Sequence, residues 1–434
     1  MLERLEPDHP RARTSGHGRS VFVAVLGNTI EYFDVTLYGL FAVFISKAFF
    51  PSEKALTGLL ATYAIFIISY AVRPVAGLLL GRLADLRGHR FVLVLTINLM
   101  TLGTFGIGLL PSYQSIGIVA PLMLVILRTI QGIGASAEYT VATSYALENG
   151  PTERRNTAAG WSNAGANVGP MIASAIAMTL ALTLGDEFIA KGGWRAPFLL
   201  SVPMGLLAFY LRRQMVDDGL LHTHSKSDLR RARIPLFVAL RGHWSTVATV
   251  IAMCAGQRIG GICIQAYFVT ALIRLGYSGA VAMLVSIALF ALGIPACWIG
   301  GRLADRFGGR PVQIGGFGIY TVLAVPLFMV MGVSVPLTMV GLFVCTMVNN
   351  ILAPPLSLAV IMSFPREIRG AASALNFNIG TALIGSTAPL IATSLDALTG
   401  SEAAFGWYWA AICLVSLLTA VFAYPERLIG SKTD

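Results

Sequence analysis

Long apolar runs are the feature that most restricts how this chain can fold. Before residue 220 the sequence contains five runs of twenty or more predominantly apolar residues. Each run is long enough to cross a hydrocarbon layer of about 30 Å as an α-helix. Only 12% of all residues are charged, whereas a soluble domain usually has about 25%. The sequence therefore predicts a protein whose surface faces lipid rather than water.

Charged or Pro/Gly-rich breaks divide the apolar sequence into twelve predicted spans, which we number 1 to 12 in chain order. Each span is interpreted as one membrane-crossing helix, so the predicted fold class is an all-α membrane protein. The spans cover residues 20–48, 56–81, 91–111, 116–147, 157–182, 196–211, 245–273, 278–300, 311–333, 335–363, 370–397 and 404–424. Span 6 is short as drawn, and a start nearer Trp194 is an alternative.

The positions of the basic residues predict how the chain is oriented in the membrane. Cytoplasmic loops are enriched in Lys and Arg. With a cytoplasmic N-terminus, 23 of the 31 basic residues fall in cytoplasmic segments and 5 on the opposite side. We therefore predict a multi-pass protein of the cell inner (plasma) membrane with both termini in the cytoplasm. The net charge of +10 follows from these loops, so it does not indicate nucleic-acid binding.

A ten-residue block occurs twice, each time after the second span of a half. The sequence GRLADLRGHR at 81–90 recurs as GRLADRFGGR at 301–310. Two parallel repeats around a site near the midplane form a known transporter architecture. The block therefore predicts two six-helix pseudo-repeats. The predicted domains are a cytoplasmic tail 1–19, an N-terminal half 20–211, a cytoplasmic linker 212–244, a C-terminal half 245–424 and a cytoplasmic tail 425–434.

The repeated block is predicted to take part in conformational gating. Its glycines permit tight turns, and Asp85 and Asp305 lie at helix ends, where they can pair with arginines or with a neighbouring helix terminus. Such contacts can hold one conformation and release in another. The alternative interpretation is a plain basic loop. The candidate gating residues are Gly81, Asp85, Arg87, Gly88, Arg90, Gly301, Asp305, Gly308 and Arg310.

The same block carries a family resemblance. The pattern Gly-x-Leu-Ala-Asp-x-x-Gly-x-Arg resembles the signature loop of the major facilitator superfamily. Further segments are similar to the metabolite:proton symporter family within it, at residues 27–34, 73–74, 128–132, 194–198 and 364–369. The resemblance covers essentially the whole chain. It implies the major facilitator fold and a proton-driven carrier of organic acids or zwitterions, because that family includes carriers of shikimate, α-ketoglutarate, citrate and proline/betaine.

Ionisable residues within the predicted spans are the sharpest signal that is independent of this resemblance. Such groups are costly in a bilayer unless they are paired or hydrated, so each is a functional candidate. In span 1, Glu31, Asp34 and Tyr38 share one helix face near the midplane. Arg128 and Gln131 share a face of span 4. The candidate proton-coupling residues are Asp34, Glu31 and Glu138, and the candidate substrate-binding residues are Arg128, Arg258, Tyr38, Gln131, Gln257, Gln265, Asn349 and Asn376.

Three arginines within the spans could partner these carboxylates, namely Arg73, Arg128 and Arg258. The functional interpretation is a proton-coupled site for a charged solute, because burial and a nearby arginine act in opposite directions on the protonation of a carboxylate. The alternative is a set of structural ion pairs between helices, which fits Arg73 best. All six histidines fall in predicted tails or loops, so the carboxylates are expected to carry the proton.

The direction of transport is left open by the sequence. A proton gradient can drive import of a small polar metabolite, or export of a carboxylate-rich natural product or siderophore. A channel is disfavoured because no ring of like charges is evident, and an enzyme because no catalytic motif is. We therefore predict a secondary transporter whose partners are a small-molecule substrate, protons and the lipid bilayer. No cofactor, metal or nucleic acid is expected.

Overall fold

The computed structural model describes residues 17–51, 55–87, 89–136, 155–213, 243–331, 333–364, 369–401 and 403–424. Within these ranges the regular structure is entirely helical. In the described part of the chain, nine helices are long and apolar enough to cross a membrane, and one bent pair makes a tenth. Helices suit lipid because they satisfy their backbone hydrogen bonds internally.

Within the described residues, each of the first six predicted spans coincides with helix, and residues 137–147 of span 4 lie outside the described part. Span 1 consists of His17–Leu40 and Ala42–Phe49, which meet at a bend of 63°. The helices of the other spans of this half are Ala55–Ala71 and Arg73–Arg87 (span 2), His89–Leu109 (span 3), Tyr113–Ile116 and Val119–Ala135 (span 4), Arg155–Ala190 (span 5), and Ala196–Leu199 and Ser201–Arg213 (span 6). A short 3₁₀ turn, Gly193–Arg195, precedes span 6.

The second half follows the same order, with two π-helical turns inserted. The helices are Trp244–Ile262, the π turn Cys263–Tyr267 and Phe268–Arg274 (span 7), Gly279–Phe307 (span 8), Gly309–Val330 (span 9), Val335–Met362 (span 10), Arg369–Gly380, the π turn Thr381–Gly385 and Ala388–Thr399 (span 11), and Ala403–Phe422 (span 12). The tail 1–16, most of the linker (214–242) and the tail 425–434 lie outside the described residues, so the domain boundaries stay a prediction.

The repeated block is helical for most of its length, so its predicted position in an interhelical break was wrong. The helix of span 8 continues to Phe307, and the next helix begins at Gly309. The break between them is the single residue Gly308, with φ 89° and ψ 153°. A residue with a Cβ is strained at such a positive φ. The charged side chains of the block are compatible with helix because the helices of spans 2 and 8 continue at their C-terminal ends beyond the apolar residues.

The two halves approach each other closely near both ends of the bundle. Toward the predicted extracellular end, a Cβ added to Gly39 of span 1 would lie 2.5 Å from the Cα of Ala266 in span 7. Toward the predicted cytoplasmic end, a Cβ on Gly301 of span 8 would lie 2.6 Å from the carbonyl oxygen of Asn156 in span 5. Since neither position has room for a side chain, the helix backbones of the two halves are in direct contact at both places.

Candidate functional site: a polar cavity between the two halves

A cavity of about 120 Å³ lies between the two halves. Sites for drug-sized ligands usually measure about 300–1,000 Å³, so this space suits a much smaller solute. Spans 1, 2 and 5 line it from the first half, and spans 7, 8, 10 and 11 from the second. Its polar and charged lining consists of Glu31, Tyr32, Tyr70, Arg73, Asn163, Asn167, Gln257, Arg258, Gln265, Asn349, Asn350, Ser357 and Thr381.

Arg258 gives the cavity wall an unneutralised positive charge. Its side chain lies in span 7, and the residue is only 9% exposed. The guanidinium Nη1 donates a hydrogen bond to Thr381 Oγ1, and its centre lies 4.0 Å from the ring centroid of Phe377. No carboxylate of the described residues forms an ion pair with it. The remaining guanidinium surface is therefore suited to an anionic group in the cavity.

On the first-half side of the cavity, Glu31 and Arg73 form an ion pair. Arg73 Nη1 donates to Glu31 Oε1 at 2.5 Å, with side chains 5% and 7% exposed. The Arg73 guanidinium also lies 4.1 Å from the ring centroid of Tyr70. Arg73, which the sequence favoured as structural, thus both neutralises Glu31 and lines the cavity. Together with Arg258, the charged lining carries one net positive charge.

Asp34 lies one helical turn from Glu31, behind the cavity wall. The Thr104 hydroxyl lies 2.7 Å from Asp34 Oδ2 and 3.0 Å from the carbonyl oxygen of Met100, so its single proton serves one of them at a time. Gln131 Nε2 donates to Thr104 Oγ1 at 2.7 Å. The other carboxylate oxygen, Asp34 Oδ1, is buried without a hydrogen-bond partner in the described part of the chain.

Arg128 closes this buried chain from span 4. Its Nη1 donates to Gln131 Oε1, and its Nη2 to Ser69 Oγ at 3.2 Å. The guanidinium centre lies 4.0 Å from the ring centroid of Tyr38, and the Tyr38 hydroxyl donates to the carbonyl oxygen of Thr62. Arg128 is 1% exposed. Hydroxyl, amide and aromatic groups therefore surround this cation, and the structure links it to Asp34 through two intervening side chains.

The structure separates the predicted substrate-binding residues into two groups. Four of them line the cavity: Arg258, Gln257, Gln265 and Asn349. Arg128, Tyr38 and Gln131 lie behind its wall, and Asn376 donates to the carbonyl oxygen of Val247 away from the cavity. Their role as substrate ligands stays a prediction. Glu138 lies outside the described residues.

Sequence reasoning did not assign a role to Thr381, Tyr70 or Ser357, although all three line the cavity. Tyr70 precedes Arg73 by three residues on the same helix face, which is a usable signal for shared location. Thr381 and Ser357 lie in apolar sequence whose hydroxyls commonly bond their own helix. Their position at the cavity depends on tertiary packing.

Amide side chains connect the two halves beside the cavity. Asn167 Nδ2 of span 5 donates to Asn350 Oδ1 of span 10 at 2.9 Å. One turn earlier, Asn163 Nδ2 donates to Ser357 Oγ at 3.2 Å. These hydrogen bonds cross the boundary between the halves, so their geometry depends on how the halves are oriented.

At the predicted cytoplasmic end, Asp305 of span 8 caps the first turn of span 5. Its carboxylate accepts hydrogen bonds from the backbone N–H groups of Asn156 at 3.1 Å and Thr157 at 3.0 Å, and from both side chains. A carboxylate at a helix N-terminus is stabilised by the exposed N–H groups and the helix dipole. This contact joins a candidate gating residue of one half to the other half.

The other candidate gating residues are less completely defined. Arg310 donates to the carbonyl oxygen of Val421 in span 12. Arg87 is exposed, with its guanidinium 5.2 Å from the ring centroid of Phe91. Gly88 and the side chains of Asp85 and Arg90 lie outside the described part. The gating role of the block stays a prediction.

A helical bundle of two halves around a small polar cavity lined by buried charged groups is the architecture of secondary transporters. The chain belongs to the Major Facilitator Superfamily, whose family model matches residues 24–389. This membership confirms the family resemblance, the predicted twelve-helix fold class and the prediction of a transporter rather than an enzyme.

Relatives of known or assigned function are similar over nearly the whole chain. A putative proline/betaine transporter of Staphylococcus aureus (strain COL) is 30% identical over 409 residues, covering 94% of this chain and 88% of the relative. The proline/betaine transporter of Escherichia coli (strain K12) is 29% identical, with 93% and 82% covered. The glycine betaine/proline/ectoine/pipecolic acid transporter OusA of Dickeya dadantii is also 29% identical, with 93% and 82% covered.

Solved structures share the fold. A D-xylose-proton symporter superimposes with a TM-score of 0.73 at 18% identity, covering 94% of this chain and 97% of that chain. The xylose transporter XylE from E. coli in a partially occluded inward open conformation superimposes with a TM-score of 0.76 at 16% identity, covering 94% and 98%. At these identities the likeness establishes the architecture alone.

Proposed function

We propose that this protein is a proton-coupled symporter that imports a small zwitterion of the proline or betaine type by alternating access. We place it in the inner membrane with both termini cytoplasmic. The observation that carries the proposal is Arg258, a buried cation without a carboxylate partner among the described residues, in the wall of a cavity of about 120 Å³. The names of the most similar relatives support a zwitterion.

A zwitterion matches the distribution of charge in the cavity. Its carboxylate can accept hydrogen bonds from Arg258 of the second half, since charge-assisted bonds of this type are the strong ones. Its cationic end can face Glu31 and the ring of Tyr32 in the first half, because aromatic faces and carboxylates both attract ammonium groups. A solute bound in this way contacts both halves, and its binding favours their closure around it.

An organic acid is the second candidate within the same site. A monocarboxylate would neutralise the net positive charge of the lining, whereas a zwitterion would use Glu31 as well. The two candidates differ in one requirement, namely a cationic group at the end opposite the carboxylate. Competition between small carboxylates with and without this group separates them.

We assign proton coupling to Asp34 first. Glu31 is held in an ion pair with Arg73 at 2.5 Å, so protonating it would leave a buried arginine without its partner. Asp34 has no cation of the described chain within ion-pair distance, and its Oδ1 has no hydrogen-bond partner there. It can therefore bind and release a proton without breaking an ion pair.

The test uses purified protein in proteoliposomes with an imposed pH gradient, acidic outside. We expect accumulation of radiolabelled L-proline or glycine betaine, and weaker inhibition by lactate than by either zwitterion. Arg258→Gln should raise KM by about 10- to 100-fold, the equivalent of one charge-assisted hydrogen bond. Lys191→Gln removes a cation from an exposed surface pair and should leave KM unchanged.

Three outcomes contradict parts of the proposal. Stronger competition by lactate than by zwitterions would favour the organic acid, and gradient-driven efflux without uptake would favour an exporter. An unchanged KM in Arg258→Gln would exclude the carboxylate contact.

A further inference from the structure

We infer that one turn of span 11, from Phe377 to Thr381, positions the Arg258 guanidinium for the solute, and that Thr381 is the positioning residue that sets solute affinity. The inference rests on the proposed function, because it takes Arg258 as the contact for the solute carboxylate. It adds Thr381, which is not among the candidate substrate-binding residues that the sequence indicated.

Two side chains of this turn hold the guanidinium from different directions. The ring of Phe377 lies 4.0 Å from the guanidinium centre, a distance typical of a cation–π contact. The Thr381 hydroxyl accepts a hydrogen bond from Arg258 Nη1. The same hydroxyl donates its proton to the carbonyl oxygen of Phe377 at 2.8 Å. Because its proton is used there, its lone pairs are available to the arginine.

The backbone at Thr381 departs from the α-helix in a way that fits this role. Thr381 begins the π-helical turn that ends at Gly385, and the Ser386 N–H donates to the Thr381 carbonyl oxygen at 2.8 Å. That is an i to i+5 bond, one residue longer than in an α-helix. Single π turns inside α-helices are rare and frequently occur at functional sites. The extra residue changes the direction in which the following turn faces span 7.

Two glycines of span 11 leave room for the arginine on either side of Thr381. A Cβ on Gly380 would lie 3.3 Å from Arg258 Nε, and one on Gly385 would lie 3.5 Å from Arg258 Cβ. The first distance is tighter than an ordinary contact, so a side chain at Gly380 would crowd the guanidinium, whereas the second is an ordinary van der Waals contact with the arginine stem. The contact surface that span 11 presents to the guanidinium is therefore made by Phe377 and Thr381.

Holding the guanidinium in one orientation increases affinity because a long side chain otherwise loses rotamer freedom when the solute binds. Removing the Thr381 hydroxyl would free one guanidinium N–H and let the side chain sample other orientations. The solute would then bear the cost of ordering it. We therefore expect an effect on KM, whereas the rate of the conformational cycle should change little.

The experiment measures initial uptake of radiolabelled L-proline, or of glycine betaine if the uptake test selects it, in proteoliposomes. Thr381→Val should raise KM about tenfold with Vmax within about twofold, since 1.4 kcal/mol corresponds to a factor of ten. Thr381→Ser keeps the hydroxyl and should restore KM to within about twofold. Thr387→Val is the matched control, because that hydroxyl bonds only carbonyl oxygens of its own span among the described residues.

A second measurement separates positioning from a general packing defect. In the Arg258→Gln background, Thr381→Val should raise KM no further, because the side chain that it positions is absent. Thr381→Ala removes the same hydroxyl with a smaller side chain and serves if the valine variant does not fold.

The inference and the proposed function fail separately. If Arg258→Gln raises KM but Thr381→Val and Thr381→Ala do not, the positioning role is wrong and the carboxylate contact stands. The positioning role would also be wrong if Thr381→Val raised KM equally in the unaltered protein and in the Arg258→Gln variant, or if Thr381→Ser did not restore KM. If Arg258→Gln itself has no effect, the proposed carboxylate contact is wrong.

Discussion

Three arginines inside the bundle are held in three different ways, and the difference decides what each can do. Arg73 has a carboxylate partner in Glu31. Arg128 is surrounded by Gln131, a serine hydroxyl and aromatic rings. Arg258 has one hydroxyl and one ring on one side and the cavity on the other. Only the last combines an unneutralised charge with space for a solute.

At this scale, Asp34→Asn is expected to abolish gradient-driven accumulation while leaving exchange of solute intact. The amide cannot bind and release a proton, but it can still accept the hydrogen bond from Thr104. With a gradient of one pH unit, one-to-one symport supports about tenfold accumulation, since one unit is worth 1.36 kcal/mol. In proteoliposomes, the variant should reach a ratio of internal to external solute concentration near one, and it should retain counterflow.

Glu187→Gln provides the control, because Glu187 pairs with Lys191 on the exposed surface. It should accumulate solute like the unaltered protein. Normal accumulation by Asp34→Asn would assign the coupling proton elsewhere, with Glu31 or Glu138 as the next candidates.

Glu31→Gln is expected to lower the thermal stability of the protein in detergent. Removing one partner of a buried ion pair leaves the other charge uncompensated and typically costs about 3–5 kcal/mol. The double variant Glu31→Gln/Arg73→Gln removes that charge and should recover most of the loss. The unfolding midpoint of each variant provides the measurement. A single variant as stable as the unaltered protein would show that water or other groups solvate Arg73.

At the scale of helices, the apolar runs located the twelve spans well because membrane thickness sets their length. Periodicity also placed Glu31 and Asp34 on one face of span 1. It could not show that Glu31 lines the cavity while Asp34 lies behind its wall, because that depends on the rotation of span 1 against its neighbours. The π turn at Thr381 was equally invisible, since nothing in its composition distinguishes it from α-helix.

The Asp305 cap is the clearest contact between elements of different halves. Asp305→Ala removes all four hydrogen bonds to the start of span 5, and losing a helix cap typically costs about 0.5–2 kcal/mol. Because the contact joins the halves at one end, we expect the equilibrium to shift toward conformations open at that end. One to two kcal/mol changes a two-state ratio by about 5- to 30-fold.

Labelling of Cys254 measures this shift. The thiol lines the cavity and is buried, so its reaction with N-ethylmaleimide reports opening, and peptide mass spectrometry distinguishes it from the other four cysteines. Asp305→Ala should be labelled faster than the unaltered protein. Bound solute should slow labelling in both. An unchanged rate in Asp305→Ala would show that the cap does not limit opening.

On the scale of the whole molecule, the halves contact each other near both ends, and the cavity lies between them. Asn378 Nδ2 of span 11 donates to the carbonyl oxygen of Ser136, which follows the helix Val119–Ala135 of span 4, on the same predicted side as the Asp305 cap. Gly39 and Ala266 meet at the other end. Alternating access requires that these two groups of contacts open in turn. We therefore expect that a substitution at one end separates the two halves at that end only.

Two opposite wedges test this arrangement and the orientation of the chain together. Gly39→Leu should keep the predicted extracellular ends of spans 1 and 7 apart, because a Cβ there already overlaps Ala266. Gly301→Leu should separate spans 8 and 5 at the predicted cytoplasmic end for the same reason. A membrane-impermeant maleimide should then label Cys254 in right-side-out vesicles of the first variant and in inverted vesicles of the second.

Gly318→Leu is the control, since a Cβ there has no described atom within 4 Å. Both wedges should block solute accumulation. If each variant is labelled from the opposite side, the predicted orientation in the membrane is wrong. If both variants are labelled from the same side, the two ends do not close in alternation.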